Sequence, residues 1–140
     1  MNYSRVYKET QIETASPVKL IVILYDIILS SIDQAIAYLD QRKYDLLNKE
    51  LSRAQDGIIE LIASLDFERG GEIASNLYSI YLYCSRRLFE GNIEKKKEMF
   101  LEVRNILYKL RDAWDQIANM NTNTSSELSK QKVKNIDIQS

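Results

Sequence analysis

The chain has 140 residues, 45% hydrophobic and 28% charged, with a net charge of −1. That is the size and balance of one soluble domain, with no global field to draw it to nucleic acid or to an anionic membrane. It contains no histidine and one cysteine, Cys84, which excludes a phosphotransfer histidine, Glu-x-x-His metal pairs, the usual zinc sites, Ser-His or Cys-His nucleophiles and an internal disulfide.

Residues 1–15 are polar, with scattered apolar positions at Tyr3, Val6, Tyr7 and Ile12. Their β-branched and Thr content gives weak helix propensity, so they are expected to form a flexible arm. They lack the apolar centre of a signal peptide, and a lone cysteine suits a reducing compartment. The expected location is the cytoplasm.

Ser16-Pro17 is a helix-start pair: the hydroxyl accepts from an orphan backbone N–H, and Pro17 lacks the N–H that would go unpaired. Helix one is expected over about 17–40. Only Lys19 and Asp26 interrupt its apolar run over 18–29, which is shorter than the roughly 20 residues that span a bilayer. No membrane insertion is expected. Ile21, Tyr25, Ile28, Ile32, Ala35 and Leu39 already form a core stripe. Leu20, Val22, Leu24, Ile27 and Leu29 are surplus to it, and something must cover them.

Helix two is expected over about 44–65, with Leu47, Leu51, Ala54, Ile58, Leu61 and Leu65 inward. Gly57 within it costs about 1 kcal/mol against Ala and is tolerable where another backbone approaches closely. A turn over 66–71 ends in Gly70-Gly71. Helix three follows over about 72–90. Ile73, Leu77, Ile80, Cys84 and Leu88 form its stripe, which Tyr78, Tyr81 and Tyr83 widen. Gly91-Asn92 reads as the third turn. Helix four is expected over about 93–118, with Phe100, Val103, Leu107, Leu110, Trp114 and Ile117 inward. Residues 119–140 are rich in Asn, Thr, Ser and Lys and read as a disordered polar tail.

Every stripe keeps a seven-residue period, and the turns are short. The expected fold is all-α: an antiparallel up-down-up-down four-helix bundle over residues 1–118, including the arm, followed by the tail. The bundle alone names no activity. One reading is a self-associating structural or adaptor bundle that uses the surplus face as a symmetric interface.

The motifs say more. Tyr7-Lys8-Glu9-Thr10-Gln11-Ile12-Glu13-Thr14-Ala15-Ser16-Pro17, then Lys19-Leu20 and Leu24-Tyr25-Asp26, resembles the N-terminal signature of the flagellar export chaperone family FliS. Asp66-Phe67-Glu68-Arg69-Gly70-Gly71-Glu72-Ile73-Ala74, with Asn76-Leu77, Tyr81 and Arg86-Arg87-Leu88, is similar to a second block of that family. Leu110-Arg111-Asp112-Ala113-Trp114 resembles a third. Val18 departs from the acidic residue common at its position, which loses a favourable first-turn charge.

The resemblance implies a cytoplasmic protein that binds the disordered C-terminal segment of flagellin and stops it polymerising early. It also implies delivery to a component of the flagellar type III export gate. It implies no catalysis and no cofactor. A free protein that is monomeric or weakly dimeric suits this reading. The candidate partner-binding residues are Tyr7 and Thr10 on the arm, Leu20, Leu24 and Ile27 on helix one, and Tyr78 and Tyr81 on helix three.

Overall fold

The computed structural model describes residues 16–139, with side chains described over 16–120. The arm expected over 1–15, with Tyr7 and Thr10, lies outside the described residues. Four helices follow in order: α1 Pro17–Asp40, α2 Tyr44–Ala63, α3 Phe67–Glu94 and α4 Lys97–Gln139. No strand occurs among the described residues. α1 begins as expected, with Ser16 Oγ accepting from Lys19 N at 3.3 Å and Pro17 in the first turn. Asp66 starts α3 the same way, accepting from Arg69 N at 3.1 Å.

Polar pairs set the direction of each helix against its neighbours. Asp40, Asp33 and Asp26 on α1 meet Lys97, Arg104 and Arg111 on α4, at 3.0, 2.5 and 2.9 Å. Each step is one heptad, taken downward on α1 and upward on α4, so these helices are antiparallel. On the α2–α3 seam, Asn92 donates to Asn48 at 3.0 Å. One heptad further, Gln55 donates to the Ser85 carbonyl at 2.8 Å while the Ser85 hydroxyl donates to Gln55 at 2.6 Å. On the α3–α4 seam Arg87 donates to Glu102 at 2.8 and 3.0 Å. α1 therefore packs between α2 and α4, and α3 closes the bundle on its far side. Asp26, one of the two residues that interrupt the apolar run of α1, is one rung of the α1–α4 ladder. These exposed pairs contribute at most about 1 kcal/mol each; their stronger effect is on register.

Stability comes from the core. Tyr25, Ile28, Ile32 and Ala35 of α1 meet Leu47, Ala54, Ile58 and Leu61 of α2, with Tyr81, Cys84 and Leu88 of α3 and Phe100, Val103 and Leu107 of α4. All are fully or almost fully buried. By length and apolarity alone α1 passes for a membrane span, but its inward face is the centre of this core.

Several expectations shift. Gly91-Asn92 is not a turn: α3 continues to Glu94, and Lys95, in a left-handed conformation (φ 53°), ends it. Gly91 is instead a contact point, where an added Cβ would lie 2.8 Å from Phe100 Cε1. Gly57 makes room for the Ile28 side chain, 2.4 Å from the site of a Cβ, and not for a second backbone. The turn expected before residue 72 is a kink within α3, where Gly71 takes φ 50° and ψ −120°, a conformation open to a residue without Cβ. Ile73 and Ile117 leave their stripes and are exposed. α4 runs on to Gln139, past the end expected at 118. No glycine or proline after Lys97 interrupts it, and propagation adds one backbone bond per residue.

The α3–α4 seam carries a testable electrostatic device. Tyr83 and Arg87 both donate to the Glu102 carboxylate. These bonds, Tyr83 first, hold its pKa below the ordinary value of 4.5. A carboxylate with a lowered folded pKa stabilises the fold fully above its unfolded pKa. That contribution is lost as the pH falls below about 4.5, through the folded value. Glu102→Gln is therefore expected to flatten the acid limb of stability against pH. Thermal unfolding between pH 6 and pH 3 checks this, and an unchanged acid limb contradicts it.

Candidate partner-binding surface

The surplus apolar residues of α1 do not vanish into the core. Leu24 and Ile27 are half-buried. With Gly57 and Ile59 of α2 they line a groove of about 440 Å³, bordered by Arg53, Asp56 and Glu60. Gly57 keeps the floor low, and Ile59, 60% exposed, rises beside it. Leu20 is half-buried on the same helix and lies outside this lining. Val22 and Leu29, also surplus on the sequence count, are buried.

A second depression of about 300 Å³ opens one turn away, where α1, α3, α4 and the link from α2 to α3 contribute. Ile21 comes from α1, and Leu65 follows the end of α2. Ile73, Ala74, Leu77 and Tyr81 come from the start of α3, and Trp114 from α4. The kink at Gly71 aims the first turn of α3 across this opening. Ile73, 71% exposed, is thereby held out of the core at its mouth. Asp66 and Arg69 supply the charged part of the lining.

The floor of this cleft is polar. Tyr25 and Tyr81 are buried, with their hydroxyl oxygens 2.6 Å apart and their rings tilted at 57°. Burial pushes both phenols above their ordinary value. Cys84 nearby is buried, and burial pushes its thiol up to about 12. It is an inert core residue, not a nucleophile.

Tyr81, a candidate from sequence, is thus a core residue, 1% exposed, that reaches the surface only as the cleft floor. Tyr78 is 38% exposed and makes an edge contact with Phe67 at 6.0 Å. It belongs to a face that sequence reasoning passed over: Tyr78, Leu82, Phe89 and Ile93, all exposed along α3. The signal was present as a second helical stripe one position off the core stripe. Ile59 and Ile73 were missed as surface residues for the opposite reason: both carry a core residue's chemistry. The structure brings Leu24 and Ile27 together, sets Tyr81 in the neighbouring cleft, and places Tyr78 on the α3 face. Among the described residues no cluster of three or more His, Cys, Asp or Glu side chains is placed to hold a metal ion.

An all-helical bundle with adjoining apolar depressions and an exposed apolar face has the architecture of a module that accepts amphipathic helices. The family model described as flagellar protein FliS matches residues 1–121. The chain is 36% identical over 120 residues to the flagellar secretion chaperone FliS of Salmonella typhimurium, covering 83% of this chain and 87% of that protein. It is 32% identical over 110 residues to the Bacillus subtilis protein of the same name, covering 79% and 81%. It is 30% identical over 115 residues to that of Vibrio cholerae, covering 82% and 85%. The chain belongs to the FliS family.

Proposed function

We propose that this protein is a cytoplasmic export chaperone that holds the C-terminal segment of flagellin, keeps it from polymerising, and presents it to a component of the flagellar export gate. Membership of the FliS family supports the chaperone role. The observation that carries the client class is the pair of adjoining apolar depressions built from α1, α2 and the start of α3. A helix-forming segment needs an apolar partner for its stripe, and these surfaces need cover. Each Leu or Ile fully covered contributes about 1.5–3 kcal/mol, while ordering the segment costs about 2–5 kcal/mol or more. One short helix on one depression scarcely offsets that cost. A segment running from the Leu24–Ile27 groove past Ile73, and on over Tyr78 and Leu82, does. Leu20 flanks that path. Tyr7 and Thr10, on the arm that precedes Ser16, are further proposed client contacts.

Calorimetric titration of the full chain with the C-terminal segment of the same organism's flagellin tests this reading. One-to-one binding by a protein that is monomeric or weakly dimeric when free is the expected result. A stable free dimer that does not bind the segment favours a self-associating bundle instead.

A further inference from the structure

The cleft beside Ile73 carries, besides Ser64, Asp66 and Arg69 in its lining, a polar feature that core packing does not require. Two hydroxyls, on Tyr25 and Tyr81, sit 2.6 Å apart beneath it. Each carries one proton to donate, and a single hydrogen bond between them uses one. Trp114, which lines the same cleft, offers only an N–H and cannot accept. Among the described residues no acceptor receives the second proton. A buried donor without a partner costs free energy, and phenylalanine in both places would avoid that cost.

Only Tyr81 of the pair lines the cleft. Either hydroxyl can donate to the other; when Tyr25 donates to Tyr81, the remaining proton lies on Tyr81, the member of the pair that lines the cleft. We infer that Tyr81 is a specificity-determining donor, and that the cleft takes an apolar helical segment that presents one uncharged acceptor to its hydroxyl. A backbone carbonyl in the last turn of the segment meets this need, since the last four carbonyls of a helix have no partner within it. The cleft thus selects for a helix end and sets the register of the client, while the groove at Leu24 and Ile27 supplies apolar contact without register. The inference rests on the flagellin-binding reading above.

Calorimetry with the flagellin C-terminal segment separates the two. Tyr81→Phe and Tyr25→Phe both lose the bond between the hydroxyls, and thermal unfolding checks that both fold. Only Tyr81→Phe also loses the donor to the client, and it is expected to bind about three- to tenfold more weakly than wild type, the range of one neutral hydrogen bond. Tyr25→Phe keeps the Tyr81 proton and should stay within about twofold of wild type, a margin well inside one such bond. Equal losses in both variants, or none in Tyr81→Phe, overturn the inference and leave flagellin binding standing. A second arm needs no protein variant: segments with single backbone esters, whose carbonyls accept more weakly, are scanned through the last helical turn. One sensitive position supports the inference and none overturns it. Failure of wild type to bind the unmodified segment overturns the flagellin reading itself, and this inference with it.

Discussion

Replacing Phe100 with alanine is expected to lower the free energy of unfolding by about 3–5 kcal/mol, the usual cost of emptying a buried aromatic site. The ring is fully buried and lies against Gly91, where no side chain stands to move into the space. Arg87 and Glu102 pair across the same α3–α4 seam. Urea unfolding should show a lower midpoint with an unchanged slope. A loss below about 1 kcal/mol would place Phe100 outside the core that the α3–α4 seam requires.

The second large effect is on binding. Ile73→Asp is expected to weaken the flagellin segment by about 1–3 kcal/mol, roughly five- to 150-fold, and to leave thermal stability almost unchanged. Ile73 is 71% exposed, so a charge there meets water in the free protein and loses it only when a client covers the cleft. Leu24→Ser should weaken binding similarly but also cost stability, because Leu24 packs against the core cluster from its half-buried position. The two variants together distinguish a binding surface from a packing defect. Unchanged affinity in Ile73→Asp, with binding intact in wild type, would remove this cleft from the client path.

Much of the bundle was legible because its physics is local. Four apolar stripes of period seven, the Ser16-Pro17 start and the polar turn before Tyr44 follow from side-chain chemistry read along one helix at a time, and α1 and α2 begin where those signals place them. The third turn was misplaced because glycine serves two ends. At Gly91 its missing Cβ admits a neighbouring ring, and at Gly71 it admits a positive φ; composition alone does not tell these apart.

The candidate site was legible only in outline. Leu24 and Ile27 were marked as surplus from the width of the apolar run, and they do line a groove. Which surplus residues stay near the surface depends on how closely α2 approaches α1, and that is set by Ile28 seated on Gly57. Val22 and Leu29 are buried instead, and the kink at Gly71 lifts Ile73 out of its stripe.

The amino-acid sequence by itself determined the helices, their heptad seams and the family, because each rests on periodicity or on short motifs carried within single segments. Only the tertiary structure decided where the apolar surface remains open and that a tyrosine pair lies beneath it. Those properties belong to distances between helices: Tyr25 and Tyr81 are 56 positions apart in the chain, and no local pattern records that their hydroxyls meet.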